Sequence, residues 1–508
     1  MTTYFVTDER MLKHKCEWDN NHIERPERLK WILDKLRKTD LLDKCKVLES
    51  RLATVEELNS VHTSEYIEKI QQASDLSVEE QEKLCSTFED IYLNSHTWNA
   101  SLLSAGSAID LTKTVLESKD PNANGFAAIR PPGHHASSDQ ACGFCIFNNI
   151  AICAKKAIEF GSKRVLIVDF DVHAGQGTQY AIKDDPNIRL ISIHRFEEGR
   201  FWPLLKESSV VHEYPNTLNV PLNEIGMGDS DYISIMSTSI LPLIHSWKPE
   251  LILVSCGFDA AIGDPEGEMQ VSPLGFGTLV GLLAIQQIPL VLLLEGGYFL
   301  ESIGESTESV LRALIERTPP KMFVDKIGPS PSLIDSIVRY LHTYQAVFDF
   351  DLAECINLVR KRKKLAAISK VDKNEYKGER NLVFPYTTRG LYAPRETDVE
   401  DDFAKKLNEM IFQRKETEKK EIDLHFKKKF LELSIDETLY KLHAENFADL
   451  LFVYHFVFIP LSIKYKFAMF NFTQFLSHFS IPYKSNELIS EKLIGDLILL
   501  PEDFGFWS

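Results

Sequence analysis

Up to about Thr318 the chain carries short uninterrupted apolar runs, each followed by a loop and then by a stretch of helical spacing. The runs are Phe126–Ile129, Val165–Val168, Leu251–Val254 and Leu290–Leu294, with Leu190–Ile193 broken by Ser192 alone. A strand exposed on one face would alternate apolar and polar positions, so unbroken runs predict strands covered on both faces. Asn149–Phe160 and Asp231–Ile244 supply covering helices. Alternating strands and helices predict one α/β domain, residues 1–318, built on a mostly parallel sheet. Ligands of such sheets gather beyond the C-terminal strand ends.

Pro319-Pro320 marks the expected boundary to a C-terminal extension, residues 319–508. The spacing of Phe403, Leu407, Met410 and Ile411 predicts helix there, and residues 447–476 are rich in Phe and Tyr. The run Arg360-Lys361-Arg362-Lys363-Lys364 reads as a solvated helix face or a nuclear import signal, the first being commoner. The longest uncharged apolar run of this part, Leu450–Ile463, holds His455 and Pro460 and is short of the roughly 18–20 residues that cross a bilayer. No catalytic chemistry is legible in the extension, whose function the sequence leaves open, contact with protein partners being one use.

Composition narrows the classes. With 508 residues, 44% of them hydrophobic, the chain can bury a large core without covalent staples. A net charge of −17 argues against a protein held to nucleic acid by phosphate contacts. Eight cysteines are too sparse for a disulfide scaffold, and Met1–Arg10 has no apolar signal core. The expectation is a cytoplasmic or nuclear protein that does not enter a membrane.

Polar residues cluster just after four of the runs: Arg130–His135, Asp169–His173, Gly257–Asp259 and Glu295–Tyr298. Loops at one sheet edge can converge on one pocket. Asp171, His173 and Asp259 suit a catalytic Zn²⁺, since two carboxylates balance its charge and a neutral imidazole leaves a fourth position open. An Asp-x-His pair by itself is more often a capped turn, and only its company raises it to a metal site. His134 and His135, aimed by a Pro-Pro-Gly turn, supply a base and a partner, with Asp169 able to orient one ring. Tyr298, after two glycines, can donate to an oxyanion opposite the metal, although a lone tyrosine there is usually core. Cys142 and Cys145 form a CxxC with no second pair for a structural zinc.

RPPGHHA (Arg130–Ala136), GFCIFNNIAI (Gly143–Ile152), DFDVHAGQGTQ (Asp169–Gln179), GFDAAIGDPEG (Gly257–Gly267) and LEGGY (Leu294–Tyr298) resemble the zinc-dependent histone deacetylase family, class II. IERPERL (Ile23–Leu29), RFWPLLKES (Arg200–Ser208) and GMGDSDY (Gly226–Tyr232) are similar to its class IIb branch. The resemblance spans about residues 4 to 318. It implies an arginase–deacetylase fold and hydrolysis of acetyl amides of primary amines, either acetylated polyamine or acetyl-lysine protein. It implies one Zn²⁺ on Asp171, His173 and Asp259, with His135 as base and acid, His134 paired to Asp169, and Tyr298 on the acetyl oxygen. It further implies Phe144 and Trp202 as channel walls, and Asp90 or its neighbour Glu89 as the rim acid that holds substrate. Asp169, Asp171, His173, Ser192 and Ile193 match the family's monovalent-cation site, expected to take K⁺.

Two departures bear on activity. Ala174 stands where the family usually has a second histidine, yet all three ligands remain. Glu266, in Gly-Asp-Pro-Glu-Gly, stands at the gatekeeper position of the polyamine-deacetylase branch, although a lone loop glutamate is usually just solvated. The narrowing motif of that branch is missing from Trp18–Ile23, which leaves room for peptides. Two alternatives stay open: a protein-lysine deacetylase without polyamine preference, and a weakly active scaffold that binds partners. A two-manganese ureohydrolase would need more carboxylates than these loops offer.

Overall fold

The computed structural model of the chain describes residues 2–210 and 213–320, with scattered positions from Ser330 to Tyr344. Eight strands form its centre: β1 (Thr3–Val6), β2 (Lys46–Leu48), β3 (Asn124–Ala127), β4 (Val165–Asp169), β5 (Ile188–Arg195), β6 (Thr217–Leu222), β7 (Leu251–Cys256) and β8 (Leu290–Leu294). They pair in the order β2-β1-β3-β8-β7-β4-β5-β6, and every pair is parallel. The five apolar runs are β3, β4, β5, β7 and β8. Their side chains are almost all fully buried, as expected of a sheet covered on both faces.

Three strands escape a hydrophobic-run criterion. β1 is a buried four-residue TYFV, too short to stand out. β2 and β6 are the two edges. β2 exposes Lys46 and Val47, and β6 carries Pro221, which lacks a backbone donor and so belongs on an edge.

Helices Thr97–Leu116 and Asn149–Glu159 pack on each other and on the central strands, while Glu27–Arg37, Pro273–Ala284 and Leu300–Glu316 form a second packed group. The helix expected over Asp231–Ile244 is present as Asp229–Ile235 and Leu241–Trp247, joined through a π-helical turn at Met236–Ile240. No helix among the described residues is long and apolar enough to cross a membrane.

The core does not stop at residue 318. The helix Leu300–Glu316 ends at a left-handed Arg317, but Leu333, Ile337, Tyr340 and Tyr344 rejoin the core. Their spacing of four, three and four residues marks one face of a helix. The Tyr344 hydroxyl accepts the N–H of Asn219 on edge strand β6 at 3.1 Å, and Asp231 accepts the N–H of Ser330 at 2.6 Å. This segment therefore covers an edge that would otherwise be open. A chain cut after Thr318 keeps every candidate site residue but should melt at least about 5 °C below one cut after residue 346, since burying one large aromatic stabilises by several kcal/mol. Equal melting temperatures would show that the cover adds nothing. The basic run Arg360–Lys364, the Phe403–Ile411 stretch, the apolar run Leu450–Ile463 and the aromatic stretch 447–476 lie outside the described residues.

Candidate active site

Sheet order explains why the polar loops meet. β3, β8, β7 and β4 are consecutive neighbours in space although far apart in sequence. Being parallel, they deliver the loops that follow them to one edge. Two glycines let these loops close around the carboxylates. A Cβ on Gly257 would lie 2.0 Å from Asp171 Oδ2, and one on Gly296 would lie 2.1 Å from Asp259 Oδ2. No other residue fits either place.

Asp171, His173 and Asp259 come together as expected, with one ligand atom from each lying within 4.8 Å of the others. His173 Nδ1 is 3.2 Å from Asp171 Oδ1 and 3.3 Å from Asp259 Oδ2. The other carboxylate oxygens are tied to backbone: Val172 N–H donates to Asp259 Oδ1 at 2.7 Å and Gly296 N–H to Asp171 Oδ2 at 2.9 Å. Asp259 Oδ2 alone is buried with no hydrogen bond reaching it. Burial favours a neutral His173, but the adjacent carboxylates of Asp171 and Asp259 outweigh it and push the imidazole up to about 10. Burial and the charge of Asp171 push Asp259 up to about 6. Two carboxylates gathered on one imidazole have negative charge to offer a divalent cation, and a buried oxygen with no hydrogen bond, 3.3 Å from His173 Nδ1, fits that use.

Two other groupings could hold a metal by distance alone, His134-Cys145-Glu295 and His134-His135-Asp171. Both use groups already engaged. His134 Nδ1 donates to Asp169 Oδ2 at 2.9 Å, and Glu295 Oε2 accepts the N–H groups of Gly133 at 2.7 Å and His134 at 3.2 Å. Cys142 and Cys145 are free thiols, and burial pushes Cys145 well above its ordinary value.

The two histidines differ through their partners. Burial opposes charge on His134, but Asp171 and Asp169 beside it raise its proton affinity well above the usual value. His135 Nδ1 meets the neutral amide of Gln176, Oε1 at 2.7 Å. Burial, then the neighbouring His134 and His173, hold His135 well below the usual range. With Nδ1–H donated to the amide, Nε2 of His135 carries the free lone pair. A ring whose proton affinity is raised beside one whose affinity is lowered is an arrangement suited to proton transfer.

Gln176 and Glu295 play parts that sequence reasoning did not assign. Glu295 anchors the Pro-Pro-Gly-His-His turn, and burial pushes its carboxyl up to about 7. An acid closing an apolar strand must find donors, which was the available signal. For Gln176 the signal was a second histidine left without a carboxylate partner.

Tyr298 is buried, with its ring 5.7 Å from Phe144 and the Arg28 guanidinium 5.0 Å over it. Arg28 Nε donates to Gly297 O at 2.6 Å, and its Nη1 pairs with Glu24 at 2.9 Å. Glu24 also receives Arg130, at 2.8 and 2.6 Å, and the Tyr92 hydroxyl. These fully buried groups explain the IERPERL motif, which ties the N-terminal segment to the ends of β3 and β8. Glu24→Ala would leave two buried guanidinium groups unpaired and should destabilise the fold by about 3–5 kcal/mol in denaturant titration. A loss under about 1 kcal/mol would show that water reaches the network.

Phe144 and Trp202, expected as channel walls, are half-buried, and Asp90 is exposed. Trp202 stands edge-on to His135 at 4.6 Å and donates from Nε1 to Glu89 Oε1 at 2.7 Å. Phe144 and Asp90 both have left-handed backbones, φ 65° and 49°, locked by Phe144 N–H donating to Asp90 O at 2.9 Å. Of the two acids expected at the rim, Glu89 is engaged with Trp202, and both are exposed. His22 meets Phe144 edge-on at 5.1 Å. Phe201 stacks on His173 at 5.3 Å, and Ala174 is buried behind the ligand loop. Ser192 pairs with Asp169 across β5 and β4, and Ile193 follows it, both buried. Glu266 is half-buried, its N–H donating to Asp264 Oδ1 at 3.0 Å.

Residues 22–314 match the histone deacetylase domain. The chain is 42% identical over 346 residues to human "Polyamine deacetylase HDAC10", covering 66% of this chain and 51% of that protein. It is 37% identical over 322 residues to "Histone deacetylase 18" of Arabidopsis thaliana, covering 61% and 47%. The chain thus spans about half the length of the curated relatives it matches. A solved structure, "Crystal Structure of HDA15 HD domain", superposes with a TM-score of 0.61 at 32% identity, covering 73% of this chain and 99% of that one. Parallel sheet, converging loops and domain match agree: this chain belongs to the histone deacetylase family, class II, with HDAC10-like relatives.

Proposed function

We propose that the chain is a zinc-dependent amidohydrolase that converts acetyl amides of primary amines to free amine and acetate, preferring acetylated polyamines to acetyl-lysine peptides. The observation that carries this is the orphaned Asp259 Oδ2 facing His173 and Asp171, beside a neutral His135 and a buried Tyr298. When bound, zinc supplies a Lewis acid and lowers the pKa of a water. Nε2 of His135 takes the proton of the attacking water and returns it to the departing amine. His134, whose Nδ1–H is held by Asp169, offers its proton's charge where the oxyanion grows. The Tyr298 hydroxyl donates to that oxyanion. Phe144 and Trp202 flank the methylene chain, where apolar contact is worth about 25 cal/mol per Å². The same reading assigns a K⁺ ion to Asp169, Asp171 and His173 at the end of β4 and the loop after it, with Ser192 and Ile193 of β5, testable as dependence of activity on K⁺ against a large organic cation.

Substrate choice rests on Glu266. A second ammonium about 4–5 Å from its carboxylate gains a few kcal/mol at an effective dielectric near 20, before desolvation, and a neutral peptide gains nothing. Glu266→Leu should shift kcat/KM toward acetyl-lysine peptide by at least about tenfold. The second reading, a protein-lysine deacetylase, is favoured by Trp18–Ile23, where the narrowing motif is missing. It wins if the wild type prefers peptide and the Leu variant leaves the ratio unchanged.

A further inference from the structure

Asp264 has no role in the chemistry above, yet it is buried and accepts three backbone N–H groups. Its Oδ2 receives Tyr298 N–H at 2.6 Å and Phe299 N–H at 3.2 Å. Its Oδ1 receives Glu266 N–H at 3.0 Å. One carboxylate therefore fastens the main chain of the oxyanion donor to the turn that carries the rim glutamate. The turn is itself pressed on the metal-ligand loop, since a Cβ on Gly267 would lie 1.9 Å from Asp259 O. On its other side the Tyr298 loop is held by Arg28 through Gly297 O. Asp264 is the side chain that grips Tyr298 at its own amide.

We propose that Asp264 is a positioning residue that holds Tyr298 in register with the Glu266 turn, so that the oxyanion donor and the channel mouth move as one piece. The proposal rests on the deacetylase reading and deepens it. A donor works only when its oxygen sits where charge develops, and misplacement by about 1 Å can cost on the order of 10²-fold in rate. Asp264 touches neither substrate nor ligand atoms in this account. On a substrate without a second ammonium for Glu266 to meet, its removal should lower kcat through Tyr298.

The test uses the full chain with Asp264→Ala, Asp264→Ser and Asp264→Asn, each with and without Tyr298→Phe. Zinc content, kcat and KM are measured on a small acetyl-lysine amide. Asp264→Ala should lower kcat roughly 10- to 100-fold, with zinc unchanged and KM within about threefold. Asp264→Asn keeps one acceptor oxygen for the Tyr298 and Phe299 amides and should recover most of the loss. In the Tyr298→Phe background, Asp264→Ala should lower kcat by no more than about twofold, because the group it positions is already gone. Full kcat in Asp264→Ala, or losses that multiply with Tyr298→Phe, overturns the proposal. Should Ala, Ser and Asn variants all fail to fold with zinc bound, Asp264 belongs to the fold and the proposal fails likewise. A wild type without turnover would instead bring down the deacetylase reading, and this proposal with it.

Discussion

Tyr298→Phe should lower kcat by on the order of 10²–10³ while KM changes little. The size follows from where the hydroxyl sits. Tyr298 is buried, its ring is packed between Phe144 and Arg28, and its main chain is fixed by Asp264 and by Arg28 through Gly297. A pre-positioned donor pays no reorganisation when the acetyl oxygen gains charge, so its bond is stronger in the transition state than in the ground state. Phenylalanine keeps the ring contacts, which makes loss of fold a poor explanation for a slower enzyme. A raised KM with unchanged kcat would assign Tyr298 to binding only.

Asp259→Ala should abolish stoichiometric zinc and with it nearly all turnover. Asp259 contributes the orphaned oxygen and half of the negative charge that balances the cation. Without it, Asp171 and His173 remain with one net negative charge among them, too few donors for a catalytic zinc. The variant also frees the Val172 N–H now held at 2.7 Å, so melting temperature should be followed alongside metal content. Wild-type zinc occupancy and rate in a folded Asp259→Ala protein would remove Asp259 from the ligand set.

How much of this was legible in the sequence depends on how locally each feature is specified. β4, β7 and β8 announce themselves, because a strand buried on both faces must be apolar throughout. β2 does not, because it is an edge strand only partly covered that tolerates Lys46, and β6 does not, because Asn219 and Pro221 interrupt its apolar residues although it is buried throughout. The cluster of Asp171, His173 and Asp259 was legible because metal chemistry restricts residue type and because the loops follow recognisable strands. Gln176, Glu295 and Asp264 were not assigned, since a residue that acts by holding another's backbone or ring carries no type signature of its own. Their partners lie 41, 162 and 34 residues away in sequence, and only the sheet order brings them together. The expected boundary at 318 followed a visible Pro-Pro break, but a break in one helix is not the end of a core, as the burial of Leu333 and Tyr344 shows.

Metal and turnover measured on one preparation of the full chain address the central claim most directly. Purified protein is analysed for zinc, stripped with a chelator, reloaded, and assayed at each stage for acetate and amine released from an acetylated polyamine and from an acetyl-lysine amide. The account predicts one zinc per chain, equimolar acetate and amine, loss of both metal and activity on stripping, and their joint return with zinc. Turnover that persists in the zinc-free protein, or one zinc per chain with no hydrolysis of either amide, would contradict it.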